Sequence, residues 1–242
     1  MDSHSIRKDG MRQPLTLAEI LAVLDAPESV TDLRRYFHGS GDAAFTGGQF
    51  DMLGGGGSRP EAAHTITAED IIAVELLSVT IGPWQRLDLL QGQLGHDVSA
   101  ALASIPVRVE LGEDAALEHI VSGGSADAAW SLLRAATGID WVIAGKLLAR
   151  KRPRLVPVYD RVVSCAYRTR SGFWKWLHCK LREDGGILMQ RLDVLHKEAA
   201  LPTSVSRLRV LDVVFWMRHR NDHLPNGCLG LTVPNPGARQ DA

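Results

Sequence analysis

The chain has 242 residues and a mass of 26.4 kDa, which is enough for a hydrophobic core that needs neither disulfides nor a metal. Hydrophobic residues at 45% and charged residues at 23% exclude disordered, collagen-like and disulfide-framework proteins. No apolar run approaches the roughly 18 to 20 residues that span a bilayer, and the N-terminal sequence MDSHSIRKDG lacks the apolar segment of a signal peptide. We therefore expect a cytoplasmic protein with no membrane partner and no cofactor.

Helical patterns follow one another along the chain. Thr16 and Glu19 have the spacing of a capping box, and Thr67 precedes two acidic residues at the start of a second helix. Gly82-Pro83 ends that helix and precedes the next, and further helical patterns occupy 97–105, 126–136, 141–149, 161–168, 173–181, 187–199 and 205–217. Only 107–111 resembles a short strand. The sequence predicts an all-α fold, with one helical domain at 14–221 between flexible tails at 1–13 and 222–242.

The glycine-rich stretch 54–60 separates the first helices from the rest. Consecutive glycines can cradle a phosphate, but this stretch lacks both the Gly-Lys-Ser/Thr of a P-loop and a preceding strand, since a helix-like pattern covers 45–53. A flexible linker is therefore the favoured interpretation of this stretch.

Charge is distributed unevenly within the domain. The N-terminal half, 14–133, has 5 basic and 17 acidic residues, whereas 134–182 has 12 basic and 2 acidic residues. The C-terminal helices at 183–221 show no such excess. A basic segment of this kind is typical of a surface for a polyanion, and it is equally compatible with packing against the acidic half.

Cysteine and histidine patterns predict no metal site. His219, His223 and Cys228 have a zinc-like spacing at the end of a helix, but the sequence offers no evident fourth ligand, so we expect solvated histidines. Cys165 has no adjacent histidine in the sequence to activate it. Ser125 follows two glycines and is interpreted as a helix N-cap.

The segment 136–149 has the pattern of a helix-hairpin-helix motif. A helix ends before a tight turn at Gly138, and a second helix begins near Trp141. The backbone N–H groups at such a turn can bind a phosphate. A basic loop with Pro153 and Pro157 follows, and Asp160 stands at the start of the next helix.

This arrangement resembles the helix-hairpin-helix DNA glycosylases of the endonuclease III type. The hairpin, the proline-containing loop and the aspartate with valines on both sides all match, and the step of 22 positions from Gly138 to Asp160 is similar to that of the family. The matching residues are Gly138, Ile139, Ala144, Leu147, Leu148, Pro157, Val158, Asp160, Val162 and Val163.

The resemblance implies a two-lobed helical protein that binds double-stranded DNA. The DNA-binding residues would be Gly138, Ile139, Lys146, Arg150, Lys151, Arg152, Arg154 and Arg161. Asp160 would be the catalytic residue of a base-excision N-glycosylase that flips a base and stabilises positive charge on the sugar. Val142 replaces the lysine of the bifunctional members, so no lyase activity is implied, and no cysteine cluster for an iron–sulfur centre follows.

Two alternatives remain open. Asp160 also fits a structural N-cap, and Asp140 replaces the second hairpin glycine with a charge that would repel phosphate. These features favour a non-enzymatic helical scaffold that binds a protein or a small ligand. Segments such as FTGGQFDML and SRLRVLDVVFWMR also resemble bacterial proteins known as a domain of unknown function.

Overall fold

A computed structural model describes residues 13–41, 44–169 and 171–233, and within these ranges the chain is all-α, as predicted, with no strand. Most of the predicted tails 1–13 and 222–242, namely residues 1–12 and 234–242, lies outside the described residues. Three short 3₁₀ helices occupy Thr46–Gln49, Leu53–Gly55 and Glu183–Gly186. The α-helices are α1 (Leu17–Leu24), α2 (Glu28–His38), α3 (Ala68–Glu75), α4 (Pro83–Gln91), α5 (Gln93–Ala103), α6 (Ala116–Ile120), α7 (Ser125–Ala135), α8 (Trp141–Lys151), α9 (Arg161–Tyr167), α10 (Phe173–Arg182), α11 (Ile187–Glu198) and α12 (Arg207–His219).

Side chains cap the N-termini of several helices. Thr16 and Thr67 form the predicted capping boxes of α1 and α3, with Glu19 and Asp70 as the returning carboxylates. Each box satisfies two backbone N–H groups that have no partner within the helix. Local spacing alone therefore positions these two helix starts.

The helices α8 and α12 lie at the centre of the fold. Every residue of α8 from Val142 to Lys151 is buried, and α12 is buried along most of its length. The helix α8 packs against α3 and α7, whereas α12 packs against α2, α9 and α11. Charged side chains on these helices must therefore find partners inside the protein, because an unpaired buried charge costs several kcal/mol.

Three local predictions were wrong. Residues 107–111 form no strand; they are an irregular connection in which the N–H of Leu111 donates to the carbonyl of Arg154. Residues 45–53 form 3₁₀ turns instead of one helix. Gly124, not Ser125, is the N-cap of α7, and the Ser125 hydroxyl is 2.8 Å from Nδ1 of His119.

In the described part of the chain, no helix is long and apolar enough to cross a membrane.

Candidate functional site

A cavity of about 560 Å³ opens where α8, α9 and α12 meet the loops that follow α2 and α3; we call it the central cavity. Its volume lies within the range of about 300–1,000 Å³ that is typical of small-molecule sites. The polar residues that line it are Tyr36, Asp140, Lys146, Asp160, Arg161, Arg209 and Asp212, together with Thr46, Ser78 and Thr80. Valines and two aromatic side chains supply most of the apolar wall.

Asp160 lies at the N-terminus of α9 and lines the central cavity. Its Oδ1 accepts a hydrogen bond from the N–H of Val163 at 3.0 Å, so the predicted N-cap role is confirmed. Its Oδ2 lies 3.7 Å from Nζ of Lys146, and 19% of the side chain is exposed. The carboxylate is therefore fixed by α9 on one side and directed toward Lys146 on the other.

Lys146 is buried at the central cavity, not directed to solvent. Its side chain is 3% exposed, and Nζ donates to the carbonyl of Leu77 at 2.8 Å. Burial lowers the pKa of Lys146, and the negative charges of Asp160 and Asp212 oppose this shift. The interpretation of Lys146 as a phosphate contact on the surface is wrong, because α8 holds it in the interior.

A buried polar network lies beside Lys146 and was missed by the sequence analysis. The guanidinium of Arg209 donates to the hydroxyl of Tyr36 at 2.8 Å and to Asp51 at 3.2 Å, and it also pairs with Asp212. Burial raises the pKa of Asp212 to about 7, although the charge of Arg209 opposes the shift. The sequence did contain a signal for this network: Arg209 and Asp212 have opposite charges and lie three positions apart within the apolar run of α12.

Aromatic rings form one wall of the central cavity. The rings of Phe45 and Trp216 meet edge to face with centroids 5.8 Å apart, and Tyr36 stacks on Phe45 at 5.3 Å. The guanidinium of Arg220 lies 4.7 Å from the centre of the Phe45 ring, and that of the exposed Arg35 lies 5.8 Å from it. Planar apolar surface and positive charge thus occur together on this side of the cavity.

The basic segment after the hairpin is largely internal, which corrects its interpretation as a DNA-binding loop. Arg150 and Lys151 both pair with the buried Asp70, at 2.9 and 2.7 Å. The guanidinium of Arg152 donates to the carbonyls of Ile105 and Ala63, and burial lowers the pKa of Arg152 to about 10. These three side chains are at most 2% exposed and bind other parts of the protein instead of facing solvent.

The two helices and the tight turn at Gly138 between them form as predicted, with α7 ending at Ala135 and α8 beginning at Trp141. Gly138 is exposed with φ +84°, a left-handed conformation that favours glycine, and Ile139 is buried. Oδ1 of Asp140 accepts hydrogen bonds from the N–H groups of Val142 and Ile143 at 3.0 and 2.9 Å. These are the N–H groups that the phosphate hypothesis required, so the chain's own carboxylate occupies that anion site.

The remaining two predicted basic contacts lie on different surfaces. Arg161 is exposed and lines the central cavity beside Asp160. Arg154 is also exposed, but it pairs with Glu110 at 3.3 Å and lines a separate cavity with Arg207. Of the predicted site residues, the fold therefore brings together Lys146, Asp160 and Arg161.

Comparison with known proteins identifies a family but no activity. No curated protein and no solved structure matches the chain, so the resemblance to helix-hairpin-helix DNA glycosylases has no support from these comparisons. Residues 29–219 match the model of DUF6308, described as a family of unknown function. This match includes the hairpin, Asp160 and the whole of α12. The chain therefore belongs to the DUF6308 family.

Proposed function

We propose that the central cavity binds a nucleobase extruded from DNA and that Asp160 promotes cleavage of its N-glycosidic bond. The observation that carries the proposal is the partly exposed carboxylate of Asp160, held by its N-cap bond beside Lys146 in an aromatic-walled cavity of about 560 Å³. Enzymes that act on a base extrude it into such a pocket and stack it against aromatic or apolar side chains. Phe45 and Trp216 offer that stacking surface.

The chemistry rests on the charge of Asp160. When the N-glycosidic bond breaks, its electron pair leaves with the base and positive charge develops on the sugar. A carboxylate near the sugar stabilises that charge most strongly at the transition state. The hydroxyl of a water molecule then adds to the sugar carbon, and the proton of that water is transferred to the departing base.

Lys146 and Arg161 have different roles in this proposal. The ammonium of Lys146, 3.7 Å from Oδ2 of Asp160 and bonded to the carbonyl of Leu77, orients the carboxylate. Arg161 follows Asp160 in the chain and is exposed at the cavity, where its guanidinium can contact a phosphate of the bound strand. The proposal also includes a two-lobed, glycosylase-like arrangement of the helices, as the resemblance implies.

A base-release assay on a panel of damaged and mismatched bases, in duplex and single-stranded oligonucleotides, tests the proposal. We expect turnover by the wild-type protein and its loss in Asp160→Asn, because Asn keeps the N-cap and removes the charge. Asp140→Asn is the matched control: it also alters a capping aspartate that lines the cavity, yet it should retain turnover. Turnover that survives Asp160→Asn would overturn the catalytic assignment.

A second candidate function is a binding scaffold without chemistry. It is favoured by Asp140, which occupies the N–H groups of Val142 and Ile143, and by the burial of Arg150 to Arg152. Absence of base release over the whole panel, together with saturable binding of nucleosides that Trp216→Ala weakens, would support the scaffold. Such a result would contradict the enzymatic proposal.

A further inference from the structure

Four side chains that commonly bind metals meet at the C-terminal ends of α9 and α12, away from the central cavity. One comes from α9, one from the last residue of α12 and two from the segment that follows it. One possible ligand atom from each lies within 4.8 Å of those of the other three; the residues are Cys165, His219, His223 and Cys228.

The separations suit a tetrahedral zinc ion. Zinc binds thiolate sulfur at about 2.3 Å and imidazole nitrogen at about 2.0–2.1 Å, so its ligand atoms lie roughly 3.3–3.8 Å from one another. Nε2 of His219 and Sγ of Cys228 are 3.5 Å apart. The widest pair, at up to 4.8 Å, needs to close by only about 1 Å to reach this range. Three residues lie between His219 and His223, which is a spacing found in many zinc-binding histidine pairs.

A polar atom in the cluster lacks a partner. Nδ1 of His223 is buried and makes no hydrogen bond to any residue that the structure describes. Buried polar atoms are nearly always paired, so this nitrogen requires an explanation. His219 is 2% exposed, which contradicts the prediction that these histidines are solvated. A metal ion bound to Nδ1 of His223 would satisfy this nitrogen.

The segment after α12 folds back onto α9 with part of its apolar surface buried, because Leu231 and Val233 pack against the core. The stretch 221–233 contains neither helix nor strand, and its Leu224 and Leu229 are 60% and 55% exposed. Nevertheless, Gly230 packs so tightly that a Cβ there would lie 2.8 Å from the carbonyl oxygen of Cys165, and Sγ of Cys165 is 3.8 Å from the carbonyl of Cys228. Together with the hydrogen bond from the guanidinium of Arg168 to the carbonyl of Leu231, these contacts bring the two cysteines and the two histidines side by side.

We propose that Cys165, His219, His223 and Cys228 form a structural Zn²⁺ site. Two thiolates and two neutral imidazoles balance the charge of the ion and complete its four-coordinate shell, which leaves no open position for a substrate. The sequence offered no evident fourth ligand because Cys165 lies 54 residues before His219 in the chain, and only the packing of α9 on α12 brings them together. The ion would fix the C-terminal ends of the two helices that carry Asp160 and Asp212.

Metal analysis of the full-length protein, purified under reducing conditions, tests the proposal. We expect about one zinc per chain, because the site has a single complete set of four ligands. Replacement of the zinc by Co²⁺ should give the visible absorption bands of tetrahedral thiolate coordination. Cys228→Ser should lose most of the zinc, whereas Cys179→Ser, an exposed cysteine on α10 outside the cluster, should keep it.

A variant that fails to fold would not obscure the result, because the wild-type measurements stand alone. Reduced wild-type protein that retains no zinc, and that shows no tetrahedral spectrum when Co²⁺ is added, would overturn the proposal. A disulfide between Cys165 and Cys228, detected by mass spectrometry and accompanied by this lack of metal binding, would do the same and would identify the alternative cross-link. Thiol alkylation gives an independent readout: with zinc bound, Cys179 should react well before Cys165 and Cys228.

Discussion

The two ends of the basic part of α8 have opposite surroundings. At one end, Lys146 faces Asp160, whose carboxylate is 19% exposed at the central cavity. At the other end, Arg150 and Lys151 face Asp70, whose carboxylate is fully enclosed. Both are cation–carboxylate contacts made by one buried helix, yet only the first leaves its carboxylate accessible to a ligand.

This difference shows that basic residues clustered in sequence need not form a binding surface. The enclosed group around Asp70 joins α8 to α3 and is structural, because every charged atom in it already has a protein partner. The open group around Asp160 keeps capacity for a ligand. We expect substitutions at Asp70, Asp212, Asp160 and Arg154 to distinguish the two groups, with effects that decrease in that order.

Asp70→Asn should cause the greatest loss of stability. It leaves Arg150 and Lys151 buried without a countercharge, and breaking a buried ion pair costs about 3–5 kcal/mol. Urea unfolding of this variant and of Glu69→Gln, a neighbouring exposed carboxylate 4.0 Å from Arg59, makes the comparison. We expect Glu69→Gln to be nearly silent. An Asp70→Asn protein as stable as the wild type would contradict the structural role of the enclosed group.

The pH dependence of stability should reveal Asp212 beside the open group. Its pKa is raised from the ordinary value of 3.8 to about 7, so between these values the folded state holds a proton that the unfolded state has released. Its contribution to stability is therefore greatest at low pH and is lost as the pH rises through this window. The free energies of unfolding of the wild type and of Asp212→Asn should be measured across that window. We expect the free energy of unfolding to decline less with rising pH in the variant than in the wild type. Equal slopes in the two proteins would contradict the assignment.

Changes at Asp160 should separate stability from activity. Asp160→Ala removes the bond to the N–H of Val163 and should cost about 1 kcal/mol, as for other N-caps. Asp160→Asn should cost much less than Asp70→Asn, because Asn keeps the cap and Lys146 retains its bond to the carbonyl of Leu77 and the nearby charge of Asp212. Thermal melts of both variants provide the measurement. A loss of stability from Asp160→Asn as large as that from Asp70→Asn would show that Asp160 is structural, like the enclosed group around Asp70.

Arg154→Ala should have the smallest effect. Its side chain is 54% exposed, and its pairing with Glu110 is of the surface type, worth at most about 1 kcal/mol. Stability and DNA affinity should both change little, because Arg154 lies away from the central cavity. A marked loss of DNA affinity in a filter-binding or anisotropy assay would show that this surface, not the cavity side, contacts nucleic acid.

The parts of the fold that depend on local sequence were predictable. The capping boxes at Thr16 and Thr67, and the aspartate caps at Asp140 and Asp160, follow from residues three or fewer positions away. The short alternating run 107–111 failed as a strand because no neighbouring strand exists among the described residues to pair with it. The backbone hydrogen bond from the N–H of Leu111 to the carbonyl of Arg154 is isolated and does not continue into a ladder.

The site was only partly predictable, because its contacts span long stretches of the chain. Asp160 was identified from its position after a proline-containing loop and before a helix. The partners of Arg150 and Lys151 lie about 80 residues earlier, and Arg209 bonds to Asp51 158 residues before it. Net charge along the sequence does not identify which residues pair. It left packing against the acidic half open as an alternative to a surface, and Arg150 and Lys151 do pair with Asp70 of that half.

Asp160 is proposed to stabilise a cationic sugar in the central cavity. The most direct measurement compares two DNA duplexes, one with a cationic pyrrolidine analogue of the sugar and one with a neutral tetrahydrofuran abasic site, in their binding to the wild type and to Asp160→Asn. Transition-state analogues typically bind about 100-fold or more tighter than ground-state ligands. We predict a strong preference of the wild type for the cation and its disappearance in Asp160→Asn, with unchanged affinity for the neutral site. An equal preference in both proteins, or none in the wild type, would contradict the claim.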